Sequence, residues 1–304
     1  MRTRIVVPCY NEAARLDVAA FDTFLAATTD IGFVFVNDGS KDDTLAVLRG
    51  ISARWSPRVD IVDQQPNAGK GEAVRVGMLA AFGSGAQYAG YIDADLATPL
   101  DAIGPFVEKL DQSPDIDVVI GSRVMLLGRT IERKATRHYL GRVFATAASL
   151  VLDLPVYDTQ CGAKLFRSNE VNRELFATPF GSRWIFDVEI FARYLAGRGN
   201  HDALYEMPLD RWTDATDSKV KSADYVRAIA EMATIYRTYR WPKDARAALD
   251  LLVTAMRRVA PSSGPSPSAP GAGADPRRTP VHDRAGPATS RKRLSRPGGS
   301  ARLG

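Results

Sequence analysis

A unit repeated along the first 120 residues narrows the fold more than any other feature: a short apolar run, a polar break, then apolar residues at helical spacing. Ile5-Val6-Val7 is stopped by Pro8, and Asn11 opens a helical pattern with Leu16, Ala20, Phe21 and Phe24 on one face. Phe33 to Val36 leads into Asn37-Asp38-Gly39-Ser40 and a helix carrying Thr44, Leu45, Val47 and Leu48. Val59 to Val62 is followed by Gly69-Lys70-Gly71 and a helix through Val74, Gly77, Met78 and Ala81. Tyr88 to Ile92 and Ile116 to Ile120 complete five strands, with a helix near Ile103 to Leu110 between them. Strands that alternate with helices predict an α/β fold: a mostly parallel central sheet with helices on both faces. Ligands of such sheets bind at the carboxyl ends of the strands.

The polar clusters fall at those ends: Pro8-Cys9-Tyr10-Asn11-Glu12, Asn37 to Ser40, Gly69 to Gly71, Asp93-Ala94-Asp95 and Gly121-Ser122-Arg123. Any one of them is ordinary turn chemistry, but five on one rim predict a polar site. Asp93 and Asp95 are the sharpest signal. Side chains i and i+2 of an extended segment share a face, so both carboxylates point the same way where the strand runs out. Such a pair suits Mg2+ or Mn2+, hard ions held by one or two carboxylates together with substrate phosphates. Two common nucleotide motifs are absent. Gly69-Lys70-Gly71 lacks the spacing of a Walker loop, and no Gly-x-Gly-x-x-Gly follows the first strand.

Charge is unevenly placed. The chain carries +5 overall, yet from Pro261 onward eight basic residues face only Asp275 and Asp283, a surplus of six, so residues 1–260 stand at −1. The basic pI therefore gives no reason to expect a nucleic-acid partner. The Pro/Ser/Gly/Ala/Arg composition of 261–304 cannot offset its ordering entropy and predicts a disordered tail, with 244–260 a terminal helix or linker. Within 123–142, Arg123, Arg129, Arg133, Lys134, Arg137 and Arg142 face a single acid, Glu132, a seat for a polyanion or an anionic lipid surface. Cys9 and Cys161 have no metal-ligand spacing and read as small buried residues, in keeping with a reducing cytoplasm. Met1 to Arg4 lead straight into an apolar strand, so no signal peptide is expected, and the longest apolar stretch, Val143 to Leu152, is too short to span a bilayer, so membrane contact is expected to be peripheral.

Beyond Arg123 the alternation breaks down. Asp158-Thr159-Gln160-Cys161-Gly162 precedes a strand-like Ala163 to Phe166, and Trp184 to Glu189 opens a helix on which Asp187 and Glu189 cannot share a face. Leu204 to Met207 reads as a last strand. Tyr225 to Tyr239 has a helical apolar face, read as core packing, with a membrane-surface helix ending in Trp241 as the alternative.

With these residues in place the chain resembles the family 2 inverting glycosyltransferases of the GT-A fold, most closely the polyprenyl (dolichyl) phosphate glucosyltransferases and their mannosyl relatives. The resemblance covers residues 3–243, with 1–122 as nucleotide-binding half and 123–243 as acceptor half. Its marks are Val7 to Glu12, Asn37 to Thr44, Asn67 to Gly71, Asp93 to Asp95, Gly121 to Arg123, Asp158 to Phe166, Phe186 to Glu189 and Asp217-Ser218-Lys219. The Asp-Thr-Gln-Cys-Gly block points to the glucosyl branch.

The resemblance implies that Pro8, Tyr10, Glu12, Asp38 and Lys70 line the nucleotide pocket, with Asp38 a candidate partner for the base. It places Asp93, Ala94 and Asp95 at the diphosphate, Asp93 and Asp95 being the metal ligands and Asp95 the more direct one. Arg123, Arg211 and Lys219 would contact the sugar nucleotide or the acceptor phosphate, while Gln160 and Asp187 would sit near the sugar. Asp95, Asp187, Arg123 and Gln160 form the implied catalytic set, and Arg129, Arg133, Lys134 and Arg137 the acceptor-phosphate seat. Ala97 stands where many lipid-phosphate mannosyltransferases carry Gln, and Asp217 where Gly is usual, two departures from the mannosyl pattern.

The implied reaction is metal-dependent transfer of a hexose, glucose from UDP-glucose, to a polyprenyl or dolichyl phosphate at the cytoplasmic membrane face, by in-line attack with inversion. Three alternatives stand beside it: a GDP-mannose donor, a hydroxyl acceptor on a polysaccharide, protein or small molecule with Asp187 or Glu189 as base, and a non-catalytic membrane or nucleic-acid adaptor working through the tail.

Overall fold

The computed structural model describes residues 1–132, 135–197, 200–213 and 222–240. In chain order the elements begin with β1 (Thr3–Cys9), α1 (Val18–Ala27), β2 (Ile31–Asp38), α2 (Thr44–Arg54), β3 (Val59–Gln64) and α3 (Lys70–Gly83). They continue with β4 (Tyr88–Ile92), α4 (Ile103–Gln112), β5 (Val118–Ser122), β6 (Thr130–Glu132), α5 (Ala135–Leu152) and β7 (Ala163–Arg167). The last are α6 (Glu170–Glu174), α7 (Phe186–Ala196), β8 (Leu204–Pro208), β9 (Arg211–Thr213) and α8 (Ser222–Ile235), which runs into a π-helical turn at Tyr236–Arg240. Arg133, Lys134, Lys219, Trp241, the 244–260 segment and the 261–304 tail lie outside the described residues, as does the side chain of Arg137 in α5.

Seven strands form one sheet in the order β3-β2-β1-β4-β7-β5-β8. All neighbours pair in parallel except β7, which runs antiparallel to both β4 and β5. This one reversal matters for the site, because it brings the residues preceding β7 to the rim where β4 and β5 end.

The alternation of strand side chains splits the core into two layers. Val6, Val34, Val36, Tyr91, Val118, Ile120 and Phe166 face α3, α5, α7 and α8, whereas Ile5, Val7, Phe33, Phe35, Ile92, Val119 and Leu165 face α1, α2 and α4. Burying each such Leu, Ile, Val or Phe contributes roughly 1.5–3 kcal/mol. Helix α3 lies close against β1 and β2 because Gly77 has no side chain, since a Cβ there would stand 2.3 Å from Val6 Cγ1. Ala228, Met232 and Ile235 of α8 are buried in the first layer, so its apolar face is core.

Element boundaries depart from the sequence reading where tertiary contacts intervene. β1 does not stop at Pro8 but continues through Cys9, paired with β2. β4 accompanies β1 only as far as Val6, so at Pro8 the strand has one neighbour and a missing N–H is tolerated. The first helix starts at Val18 rather than Asn11, because Asp17 caps it by accepting from Ala20 N at 3.0 Å. The fifth strand is shifted two residues toward the carboxyl end and takes in Gly121 and Ser122. The three-residue pair β6 and β9 carries no periodicity long enough to read from sequence.

Candidate active site

The site is assembled from the carboxyl ends of β1, β2 and β4, the loop into α3, and the segment 158–162 that leads into β7. At its centre are Asp93 and Asp95, just past β4. Ala94 is buried between them. The chain turns sharply here: Leu96 has φ +50°, its N–H donates to Asp93 O at 3.2 Å, and Ala97 N donates to Asp95 Oδ1 at 3.1 Å. Lys70 Nζ lies 2.6 Å from Asp93 Oδ1. Desolvation opposes the Lys70 charge, but Asp93, then Asp187 and Asp95, hold its ammonium above the ordinary range. Partial desolvation, and then the neighbouring Asp93 charge, raise Asp95. Two carboxylates that repel one another and share one lysine form a site with negative charge to spare.

Gly162 explains why this arrangement closes. Ile92 of β4 pairs with Ala163 of β7, which lays Gly162 directly against Asp93. A Cβ on Gly162 would fall 2.1 Å from Asp93 Oδ2 and 2.3 Å from its Cγ. The carboxylate rests on bare backbone, so the glycine is part of its seat.

Asp38 is buried and saturated. Its Oδ1 accepts from Gln64 Nε2 at 3.2 Å and Ala68 N at 2.8 Å, and its Oδ2 from Asn67 Nδ2 at 2.8 Å and Gly69 N at 2.9 Å. Four donors fill the lone pairs of a carboxylate. Beside the base contact expected of it, Asp38 has a structural part: it staples the loop that delivers Lys70, where Gly69 adopts φ +98°. Gly39 lies tight beneath the same loop, at φ +65° and with room for no Cβ beside Asn67 N.

Pro8, Tyr10 and Glu12 lie at the end of β1 and beyond it. Tyr10 is exposed. Asn11 takes φ +53°, with its N–H on Ser40 Oγ and its Oδ1 accepting from Lys41 N, which locks the first two strand ends together. Glu12 pairs with Arg15 through Oε1 at 2.5 Å, while Oε2 is shielded from solvent and has no hydrogen-bond partner among the described residues.

Arg123, just past β5, makes a bidentate pair with Asp158 at 2.6 and 2.7 Å, and its guanidinium lies over Trp212 at 5.3 Å. Desolvation works against the Arg123 charge and Asp158 outweighs it, raising the pKa. Asp158 is itself placed by its N–H on Glu206, and Gln160 follows with its N–H on Asp158. Arg123 and Gln160 line a small cleft with Arg142, Phe144, Tyr157 and Thr159.

Three of the expected phosphate contacts have other partners. Arg123 is spent on Asp158, Arg129 pairs with Asp210 and Pro208 O, and Arg211 pairs with Asp101. An arginine held by a carboxylate orders the loop it sits on and offers less charge to a ligand.

Asp187 and Glu189, on the first turn of α7, were alternative bases. Lys164 Nζ donates to Asp187 Oδ1 at 2.5 Å and to Cys161 O at 2.7 Å, and Tyr91 Oη donates to the same Asp187 oxygen at 2.5 Å. Lys164 is fully buried. Burial, and then Asp187, push the Tyr91 phenol well above its ordinary range. Glu189 accepts from Gly181 N, Ser182 N, Ser182 Oγ, Arg193 and Tyr239 Oη. Burial raises the Glu189 pKa and these donors outweigh it, leaving it below the usual carboxylate value. Glu189 is thus engaged on both oxygens, whereas both donors to Asp187 fall on its Oδ1. Lys164, Tyr91, Asp158 and Gly162 escaped the sequence reading as partners, although three of the four lie in the Asp158 to Phe166 block or beside it. A lysine inside an otherwise apolar strand was the available signal.

No group of three His, Cys, Asp or Glu side chains that could hold a metal forms among the described residues. Asp93 and Asp95 are two carboxylates, which fits a hard divalent ion that completes its shell with phosphate oxygens and water.

Comparison with known proteins places the chain in a family. Among curated relatives, a dolichyl-phosphate beta-glucosyltransferase of Trichomonas vaginalis is 30% identical over 254 residues, covering 79% of this chain and 73% of its own. One of Drosophila melanogaster is 33% identical over 237 residues, covering 71% and 68%. Among solved structures, the Mycobacterium tuberculosis glucosyl-3-phosphoglycerate synthase in complex with Mn2+ and UDP-glucose matches with TM-score 0.57 at 19% identity, over 79% of this chain and 80% of that one. That likeness establishes the GT-A fold expected from the sequence. Residues 4–175 match the glycosyl transferase family 2 description, and with the carboxylate pair at the rim of a mostly parallel sheet the chain belongs to that family of glycosyltransferases.

Proposed function

We propose that this glycosyltransferase moves glucose from UDP-glucose to a polyprenyl or dolichyl phosphate, with inversion, at a cytoplasmic membrane surface. Relatives named for dolichyl-phosphate glucosyl transfer support the acceptor, and fold neighbours solved with Mn2+ and UDP-glucose support the donor and the metal. The observation that carries the reading is the engagement of both Glu189 oxygens and of Asp187 Oδ1. A sugar hydroxyl must lose a proton as it attacks, whereas a lipid phosphate is already ionised near neutral pH. A site whose interior carboxylates are tied up by Lys164, Tyr91, Ser182 and Arg193 suits the second kind of nucleophile.

In this reading an acceptor phosphate oxygen forms the new bond to the anomeric carbon as the bond to the donor diphosphate breaks, and UDP leaves. Asp93 and Asp95 would hold a divalent ion, which supplies charge neutralisation to the departing diphosphate. Lys70, 2.6 Å from Asp93 Oδ1, would add a second positive charge on that side. Glu12 Oε2 supplies an unused acceptor on the nucleotide side.

The test is purified full-length chain with UDP-glucose, Mn2+ or Mg2+ and a short polyprenyl phosphate, with GDP-mannose and a soluble hydroxyl acceptor in parallel. The expected product is a β-linked glucosyl lipid phosphate that is lost on chelation. Transfer to the hydroxyl acceptor and none to the lipid phosphate would refute the proposal.

A further inference from the structure

Between β5 and β6 the chain throws out a finger with an apolar tip. Met125, Leu126 and Leu127 are 59%, 45% and 103% exposed, three consecutive large apolar side chains in water. The tip is a closed turn: Arg129 N donates to Leu126 O at 3.2 Å, and Gly128 takes φ +82°, a left-handed position that glycine fills without strain. Both stems are pinned. Arg123 is clamped by Asp158 on one side, and on the other Arg129 is held by Pro208 O and Asp210 while Thr130 N donates to Asp210 O at 2.9 Å. The apolar residues are therefore presented from a rigid base, and only Val124 separates them from Arg123 in the cleft with Gln160.

We infer that this finger docks on a lipid bilayer, with Met125, Leu126 and Leu127 entering the acyl boundary below anionic headgroups. The inference rests on the lipid-phosphate reading of the site and adds the surface that brings the cleft to its acceptor. Three side chains fall far short of the roughly 800 Å² per partner of a specific protein interface. They match the shallow insertion by which peripheral proteins hold a membrane. The sequence that follows the tip agrees in charge: setting aside the paired Arg123 and Arg129, the stretch up to residue 142 holds Arg133, Lys134, Arg137 and Arg142 against Glu132 alone, a surplus suited to an anionic leaflet.

A single probe can test this because Cys9 and Cys161 are both buried. Full-length Leu127→Cys carries an environment-sensitive fluorophore and is mixed with phosphatidylcholine vesicles with and without phosphatidylglycerol. The expected result is a blue shift with the mixed vesicles that brominated acyl chains quench. Leu126→Glu in the same background should weaken partitioning by roughly tenfold or more, while transfer to a short, water-dispersed polyprenyl phosphate and the melting temperature stay unchanged. Vesicle binding without acyl-chain quenching would assign the contact to the basic tail and overturn the inference. A shift that grows with protein concentration in the absence of lipid would assign the tip to a second copy of the chain, and loss of transfer to the dispersed acceptor in Leu126→Glu would assign it to the acceptor itself. If the wild type transfers no sugar to any lipid phosphate, the proposed function fails while the quenching measurement still decides the docking.

Discussion

Gly162→Ala separates the site from the fold. The new methyl would sit 2.1 Å from Asp93 Oδ2 and 2.6 Å from Oδ1, where ordinary contact begins at 3.4 Å, so the carboxylate must retreat by more than an ångström. It is free to do so, since the Asp93 side chain is 29% exposed and its Lys70 partner is at the surface. The stability cost should therefore stay at or below the low end of the ~1–3 kcal/mol typical of overpacking. The functional cost is larger, because disturbing the group that supports a metal ligand weakens metal binding by roughly 10–100-fold. A ligand-dependent thermal shift with Mn2+ and UDP reads this directly. At a concentration 100 times the wild-type Kd the ligand stabilises by about 2.7 kcal/mol, and for a variant weakened 100-fold the same concentration leaves about 0.4 kcal/mol. Gly104→Ala is the control, as nothing lies within 4 Å of its Cβ position. A Gly162→Ala protein that keeps the full ligand shift would refute the seat described for Asp93. So would one that unfolds without ligand.

Two further outcomes follow from the buried charges. Lys164→Met leaves Asp187 buried with only Tyr91, and should cost ~3–5 kcal/mol in urea denaturation, with Lys164→Met/Asp187→Leu recovering much of it; a single variant within 1 kcal/mol of wild type would contradict the pairing. Glu189 is depressed in the folded state, so the unfolded chain binds its proton first as pH falls. Its contribution is present above the ordinary value of 4.5 and is lost as pH drops below it toward the folded value. Stability measured against pH should fall less steeply below pH 4.5 in Glu189→Gln than in wild type, and parallel curves would exclude the role.

Much of the architecture was legible because the period-2 and period-3.6 patterns of the first half act locally. Alternation over β1 to β5 implied a parallel sheet, and the polar strand ends implied a rim, before any contact was known. Asp93 and Asp95 could be picked out because i and i+2 must share a face in an extended segment. Partners were not legible. Asp38 and a nucleotide, or Asp38 and the backbone of 68–69, are equally consistent with a strand ending in Asn-Asp-Gly. The same holds for Arg123 with a phosphate or with Asp158, 35 residues away.

The sequence alone thus determined which residue types gather at the sheet rim, because strand periodicity and turn chemistry are properties of neighbouring residues. Tertiary structure decided which of them remain available to a ligand. The antiparallel insertion of β7 between β4 and β5 brings Asp158, Gly162 and Lys164 to that rim, and these long-range pairings seat Asp93 on bare backbone and satisfy Arg123 and Asp187. A buried charge takes the partner that folding places beside it, and that choice is set by sheet order.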